Sequence, residues 1–292
     1  MKPSVLLACL LLATSLLQAK TPSHKSEPQH PHKVGVSLCG GGALGFAHLG
    51  ALQALEENGI KPDMVSGASM GSIIGSLYCA GYSPKEILKL VEQHRLNRFS
   101  NLTSIRRDSH RGFFGWRTIR QLMRELIPHD HFDSLKTPLA VSVTNISKGQ
   151  VEYVSHGPKL KEYVMASASL PGIFEALEID SMIYVDGGIL DNLPVQPLKD
   201  AGCDFVIGID VMDYPTDKAV ASPKEVVLQT VLLFNGENNR SHAGDCNWYI
   251  HFDTASKYDI MSFEAYREIY QLGYNATLEY LKHHAHELTP KH

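Results

Sequence analysis

The sequence predicts an α/β fold in which a mostly parallel sheet carries helices on both faces. From Val34 onward, short apolar runs typical of buried strands alternate with segments whose apolar residues recur at helical spacing. Glycines end the first two predicted helices, at Gly59 and Gly81. Strands that alternate with helices favour parallel pairing, with the helices packed on the sheet. Since no internal repeat or change of composition divides the 292 residues, we predict a single domain over residues 33–288.

The predicted elements follow one another in chain order. A helix is expected to begin at Pro84, because Ser83 and Glu86 form the Ser-x-x-Glu pattern of a capping box. The strands are predicted at 34–39, 63–66, 139–145, 151–154, 182–185 and 205–211. The other helices are predicted at 46–58, 70–80, 159–167, 193–201 and 262–285.

The N-terminus has the pattern of an export signal over residues 1–19. Lys2 precedes a short apolar run, 5–13, and small residues up to Ala19 suit cleavage. Residues 20–32 are polar and proline-containing, which is typical of a flexible linker. We therefore expect an exported protein, periplasmic or secreted, with membrane association left open. The alternative is an uncleaved anchor or a buried helix.

Charge and cysteine content exclude further classes of protein. The net charge of −4 gives no overall basic field, so we expect no nucleic-acid partner. The cysteines after the predicted signal are widely spaced, without the C-x-x-C pair of a zinc or redox site. Histidines at 283, 284 and 286 suit the end of a helix better than a metal site. We expect no metal and no cofactor.

A glycine-rich loop follows the first predicted strand. Gly40, Gly42 and Gly45 fit the G-x-G-x-x-G spacing of a dinucleotide site, which also requires an acidic residue at the end of the second strand. That strand instead ends at Gly67, and Asp63 lies at its other end. A nucleotide-dependent oxidoreductase is therefore a distant alternative.

The same loop suits an oxyanion hole. Backbone N–H groups at Gly41 and Gly42 approach a ligand closely, and the helix that follows presents its positive N-terminus. In a right-handed βαβ unit this loop and the turn at Ser69 emerge at the same edge of the sheet. An ester carbonyl attacked there places its oxygen against these amides.

Ser69 lies in a G-x-S-x-G motif with Gly67 and Gly71. The motif follows a strand and opens a helix, the context of a nucleophile elbow. The alternative is an ordinary serine that caps a helix. The two flanking glycines and the neighbouring glycine loop favour the nucleophile.

Asp186 is a stronger candidate than any histidine for the base that this serine requires. His48, His242 and His251 lie in segments that suggest helix, surface or packing roles. Asp186, in contrast, ends a strand and is followed by Gly187 and Gly188, which allow a sharp turn at the strand tip. The alternative is a plain Asp-Gly turn.

Three motifs together resemble the patatin-like phospholipase family. They are Gly40-Gly41-Gly42-Ala43-Leu44-Gly45, Gly67-Ala68-Ser69-Met70-Gly71 and Asp186-Gly187-Gly188. The stretch 167–180 is also similar to that family, and the resemblance covers residues 33–213. It implies a three-layer α/β/α sandwich with a mostly parallel central sheet. It also implies a lipid acyl hydrolase that uses a Ser–Asp dyad without histidine.

The resemblance assigns a role to each motif. It implies Ser69 as the nucleophile and Asp186 as its partner, with an acyl-enzyme intermediate and an acyl lipid or ester as substrate. The alternative is a non-catalytic lipid- or membrane-binding module that retains the fold. The implied oxyanion-hole and substrate-binding residues are Gly40, Gly41, Gly42, Gly45 and Met70, and the elbow and turn glycines are Gly67, Gly71, Gly187 and Gly188.

Leu44 departs from the family pattern, since many relatives carry Arg or Lys at that position. The loop keeps its backbone donors without this charge, so we expect activity to persist. A preference for anionic head groups is no longer implied.

An arginine-rich segment, 95–124, is a candidate membrane contact. It contains Phe113, Phe114 and Trp116, and basic residues beside exposed aromatics suit an anionic bilayer. The alternative is a solvated loop whose aromatics pack inward. The arginines are Arg95, Arg98, Arg106, Arg107, Arg111, Arg117, Arg120 and Arg124.

Overall fold

A computed structural model describes residues 32–98, 104–105, 114–115, 117–212, 222–252 and 257–288. The predicted export signal and the linker up to residue 31 lie outside the described residues. So do Phe113, Trp116 and the side chain of Phe114, so the predicted aromatic membrane contact stays a prediction.

Each predicted strand and helix has a counterpart in the structure, whereas the strands at 104–105, 114–115, 177–179 and 248–251 and the helices at 117–126 and 223–242 were not predicted. The strands are β1 (Val34–Leu38), β2 (Met64–Gly67), β3 (Ser104–Ile105), β4 (Phe114–Gly115), β5 (Leu139–Asn145), β6 (Gln150–Val154), β7 (Leu177–Ile179), β8 (Met182–Asp186), β9 (Phe205–Asp210) and β10 (Trp248–His251). The α-helices are α1 (Phe46–Glu57), α2 (Met70–Cys79), α3 (Pro84–Gln93), α4 (Arg117–Leu126), α5 (Leu160–Ser167), α6 (Gln196–Asp200), α7 (Pro223–His242) and α8 (Tyr266–His284).

Two predicted helices are shorter than expected. Helix α6 begins at Gln196 and not at Leu193, because Pro194 disfavours the helical region for the residue before it. α8 begins at Tyr266, after a 3₁₀ turn at Phe263–Ala265. The capping box before α3 is confirmed, since Ser83 accepts from the Glu86 N–H and Glu86 accepts from the Ser83 N–H.

The main sheet has the strand order β10-β9-β1-β2-β5-β8-β7, with β6 also paired to β5. Strands β10, β9, β1, β2 and β5 are parallel, whereas β6, β7 and β8 pair in the antiparallel sense. With helices on its two faces, this mixed, mostly parallel sheet forms the predicted three-layer α/β/α sandwich. β1 is buried at all of its residues and lies at the centre of the core.

The position of the site follows from how two strands share one edge of β5. β6 occupies one edge over Val141–Asn145. On the opposite edge, β2 pairs up to Gly67 beside Val141, and β8 pairs down to Asp186 beside Val143. Because β2 is parallel and β8 antiparallel to β5, the carboxyl ends of β2 and β8 point towards each other. They lie two residues of β5 apart, about 7 Å along β5.

Within the described residues, the length and apolar content needed to cross a bilayer are not found in any helix.

Candidate active site

Ser69 occupies a strained turn between β2 and α2. Its φ of 51° and ψ of −124° lie where side chains other than glycine are rare. The Ser69 N–H donates to Ser167 Oγ at 3.0 Å, and its carbonyl accepts from the Ser72 N–H at 3.0 Å. Gly71 permits the turn, because a Cβ at that position would lie 2.2 Å from the Leu38 carbonyl oxygen. Packing and hydrogen bonds therefore hold the elbow in this conformation.

Ser69 and Asp186 form a direct hydrogen bond. Ser69 Oγ donates to Asp186 Oδ2 at 2.7 Å, and the other carboxylate oxygen accepts from the Gly188 N–H at 2.8 Å. Asp186 is only 3% exposed. Burial raises the pKa of Asp186 to about 7, although the hydrogen bonds from Ser69 and Gly188 oppose the shift. The carboxylate is thus matched to accept a proton near neutral pH.

None of the histidines in the described part of the chain hydrogen-bonds the Ser69 hydroxyl. His48 is buried and donates from Nε2 to the Cys39 carbonyl at 2.8 Å. Burial lowers its pKa to about 4, so this ring is neutral at pH 7. His242 lies 3.5 Å from Asp191, and His251 lies 3.4 Å from Asp210.

The glycine loop lies beside the elbow. β1 and β2 are parallel neighbours with Leu38 opposite Gly67, and the Ala68 N–H donates to the Leu38 carbonyl at 3.1 Å. Gly41 and Gly42 line the same pocket as Ser69, and their N–H groups make no hydrogen bond to another described residue. They are the amides that can receive an oxyanion.

The other residues assigned to the loop have different surroundings. The Gly40 N–H donates to Asn192, to Oδ1 at 3.2 Å and to the carbonyl at 3.3 Å, so it anchors the loop. Gly45 packs against Met70, whose Cγ would lie 2.3 Å from a Cβ at Gly45. Leu44 is buried in the core at 2% exposure, so its position brings no charge to the pocket.

A cluster of asparagines on one side of α7 holds the turn that carries Asp186. Asn238 Oδ1 accepts from the Asn192 N–H at 2.8 Å, and Asn192 Nδ2 donates to Asn239 Oδ1 at 3.1 Å. In the amide orientation that satisfies its hydrogen bonds, Asn235 Nδ2 lies 2.5 Å from the Gly188 carbonyl. These residues were not predicted from the sequence. The only sequence signal is three asparagines at positions i, i+3 and i+4 of one segment.

The asparagine cluster continues to a buried carboxylate. Asn239 Nδ2 donates to Asp210 Oδ1 at 2.7 Å, and the Tyr249 hydroxyl donates to Asp210 Oδ2 at 2.6 Å. The pKa of Asp210 lies below its usual range. Burial on its own would raise this pKa, but hydrogen bonds from His251 and Tyr249 outweigh that effect. An ionised Asp210 therefore fixes the amide of Asn239, which in turn fixes Asn192 beside the glycine loop.

An apolar pocket opens at Ser69 and extends between the helices that cover this face of the sheet. Residues of α1, α2, α3 and α4 form its interior, and Asn235 and Leu232 of α7 form part of another wall. The interior suits a hydrocarbon chain, because it offers almost no polar group away from Ser69 and Asp186. Interior residues include Leu49, Ile73, Ile74, Leu77, Ile87, Val91, Ile119, Leu122 and Met123.

The motifs that meet at this site are those on which the resemblance rests, and comparison with known proteins confirms it. The chain belongs to the patatin-like phospholipase family, whose model matches residues 36–199, more than half of the sequence. The matched region contains the glycine loop, the elbow and the Asp186 turn, whereas α7 lies beyond it.

The relatives in this family include much longer proteins. Lysophospholipase NTE1 of Candida glabrata is 34% identical over 181 residues, which cover 61% of this chain and 10% of that protein. The uncharacterized NTE family protein Mb1092c of Mycobacterium bovis is 30% identical over 181 residues, covering 61% of this chain and 49% of that protein. The chain thus spans about a tenth of the length of the fungal relative and half of the mycobacterial one.

A solved structure shares the fold. The crystal structure of VipD from Legionella pneumophila superposes with a TM-score of 0.50 at 17% sequence identity. The match covers 87% of this chain and 67% of that one.

Proposed function

We propose that this protein is a serine lipid acyl hydrolase, of phospholipase A, lysophospholipase or esterase type, in which Ser69 and Asp186 form the catalytic dyad. The observation that carries the proposal is the 2.7 Å hydrogen bond from a strained serine to a buried carboxylate whose pKa is about 7. Membership of a phospholipase family and relatives named lysophospholipases support a lipid substrate. The pattern of residues 1–19 supports the further proposal that the enzyme is exported.

The proposed reaction is acyl transfer through Ser69. Asp186 accepts the hydroxyl proton while Oγ attacks the ester carbonyl, and the amides of Gly41 and Gly42 donate to the resulting oxyanion. When the tetrahedral intermediate collapses, the leaving alcohol takes the proton from Asp186. A water molecule then attacks the acyl-serine, giving its proton to Asp186, and the fatty acid leaves as Ser69 recovers its hydrogen. A positioned base contributes roughly 10²–10⁴-fold to such a reaction.

Covalent labelling and product analysis test the proposal together. A fluorophosphonate should modify the wild-type protein at Ser69, located by peptide mass spectrometry, because it reacts with activated serines. Wild-type protein incubated with lysophosphatidylcholine should release free fatty acid, and the labelled protein should not. A protein that binds these lipids without labelling or product would instead be the non-catalytic lipid-binding module.

The pocket also predicts selectivity for acyl-chain length. Ile73 and Leu77 line it four and eight residues beyond Ser69, about 6 and 12 Å along α2. Leu77→Phe should fill the far part, lowering kcat/KM for a palmitoyl ester by roughly tenfold while sparing a butyryl ester.

Ile73→Phe provides the matched control for that prediction. It narrows the part nearest Ser69 and should reduce turnover of both esters. The readout is kcat/KM for p-nitrophenyl butyrate and palmitate with each variant. Equal losses on the two esters for Leu77→Phe would show that the acyl chain does not enter along α2.

A further inference from the structure

Helix α7 exposes an apolar stripe to solvent. Val226 and Val227 are each 53% exposed, Leu233 is 55% exposed and Phe234 is 66% exposed. Their spacing of about seven residues places the two pairs on one side of the helix, two turns apart. We call these four residues the α7 docking face. Contiguous exposed apolar side chains of this size mark interaction sites on soluble proteins.

The opposite side of the same helix is fixed to the candidate active site. Leu232 packs against the core and lines the pocket that contains Ser69. Asn235 and Asn239 are buried, and they hold the Asp186 turn through the contacts described above. The outward orientation of the docking face is therefore set by the hydrogen bonds that also hold the site.

Two further exposed apolar residues lie in segments that contact the pocket or α7. Met261 is 42% exposed and lines the pocket that contains Ser69. Leu190 is 45% exposed, and its carbonyl accepts from Asn238 Nδ2 of α7 at 3.3 Å. Exposed apolar side chains therefore occur on α7, in the loop after Asp186 and at the pocket.

The described charges on α7 give the docking face no excess of positive charge. The exposed ionisable residues of α7 whose side chains are described are Glu225, Glu237 and Arg240, and the side chain of Lys224 lies outside the described part of the chain. Arg240 lies 2.8 Å from Glu237 as an exposed ion pair. Such a surface suits insertion among lipid tails rather than attraction to anionic head groups.

We propose that the α7 docking face inserts into the surface of a phospholipid bilayer, and so places the rim of the pocket against the lipid. The inference rests on the proposed function only for the role of the lipid as substrate, because the binding itself requires no catalysis. It assigns membrane contact to residues other than the aromatic ones considered from the sequence, Phe113, Phe114 and Trp116.

Vesicle sedimentation tests the docking face directly. Ser69→Ala protein is used as the parent, so that no lipid is consumed, with vesicles of pure phosphatidylcholine. Adding Leu233→Ser and Phe234→Ser should lower the vesicle-bound fraction, with a partition coefficient reduced by roughly tenfold or more. Raising the salt concentration should leave the parent's binding unchanged, because charge does not drive it.

Ile146 supplies a matched control. It is 52% exposed, follows β5, and is not among the residues that line the pocket. Ile146→Ser should bind vesicles as the parent does, whereas equal binding by the Leu233→Ser/Phe234→Ser variant would overturn the inference. Light scattering tests whether a second copy of the chain covers the face. A parent that is a dimer and does not bind vesicles, together with a Leu233→Ser/Phe234→Ser variant that is a monomer, would show this.

Activity measurements separate this inference from the proposed function. With Ser69 intact, the Leu233→Ser/Phe234→Ser variant should hydrolyse a soluble butyryl ester at the wild-type rate and lose turnover only on vesicles. If vesicle binding depends on the docking face but the protein cleaves no ester, the proposed function is contradicted and the docking-face inference is supported. If the variant and the wild type hydrolyse vesicle lipid equally, only the docking-face inference is contradicted.

Discussion

Asp186→Asn is expected to lower kcat/KM for a soluble acyl ester by roughly 10³–10⁴-fold, towards the level left by Ser69→Ala. The amide oxygen of asparagine can still accept from the Gly188 N–H, so the turn is retained. The amide nitrogen then faces Ser69 Oγ as a donor and has no lone pair to accept the proton. Initial rates with p-nitrophenyl butyrate measure the effect.

Asp191→Asn is the control for that measurement. Asp191 is also buried, five residues further along the same loop, and accepts from the Tyr153 hydroxyl at 2.5 Å. It does not line the pocket, so this variant should retain turnover if it folds. Wild-type rates in Asp186→Asn would eliminate the Ser–Asp dyad.

The pH dependence of both rate and stability should follow Asp186. Only the ionised carboxylate accepts a proton, so kcat/KM for an uncharged ester should rise with pH and level off above about pH 7. The free energy of unfolding should instead fall as pH rises. The pKa of Asp186 in the folded protein is raised from its ordinary value of 3.8, so the contribution of Asp186 to stability is complete below about pH 4 and is lost as pH rises to 7.

Asp186→Asn removes this penalty along with the activity. Relative to wild type, the variant should gain stability between pH 4 and pH 8, by at most about 4 kcal/mol. Urea unfolding at several pH values measures the difference. A stability difference that does not change with pH would show that Asp186 has an ordinary pKa in the folded protein.

Gly42→Ala is expected to lower kcat by roughly 10²–10³-fold, the cost of losing one oxyanion donor. Gly42 has a φ of +55°, and a Cβ there would lie 2.4 Å from the Ile260 carbonyl oxygen, which is backbone and cannot move aside alone. The loop must shift, and its N–H groups shift with it. Rates on a butyryl ester, with KM determined separately, distinguish lost catalysis from lost binding.

Gly149→Ala separates strain from catalysis. Gly149 has a φ of +68° in the β5–β6 turn, with nothing within 4 Å of the position of its Cβ. Both variants should lose about 1–2 kcal/mol of stability from the positive φ, and only Gly42→Ala should lose turnover. A Gly42→Ala enzyme with a kcat within twofold of wild type would exclude this loop as the oxyanion hole.

Helix α7 was not predicted from the sequence. Its segment contains Gly236 and three asparagines, residues of low helix propensity, and its exposed side is as apolar as its packed side. Neither propensity nor amphipathic pattern indicates this helix, but Ser222, Pro223 and Glu225 repeat the cap pattern that predicted α3, and Ser222 Oγ accepts from the Glu225 N–H. Within the helix, contacts to the Asp186 turn satisfy asparagine side chains that would otherwise cap or break a helix.

The sequence alone predicted β1, β2, β5 and β9 of the parallel strands, the glycine loop after β1 and the elbow at Ser69, whereas β10, α4 and α7 were not predicted. These depend on interactions between residues close in the chain, namely hydrophobic periodicity, capping and turn chemistry. The partnership of Ser69 with Asp186, 117 residues away, was implied only by the family resemblance, and the hydrogen bond between them and the exposed apolar side of α7 are seen only in the tertiary structure. The physical reason is that β2 and β8 end against one edge of β5, and long-range strand pairing of this kind leaves no local signal in the sequence.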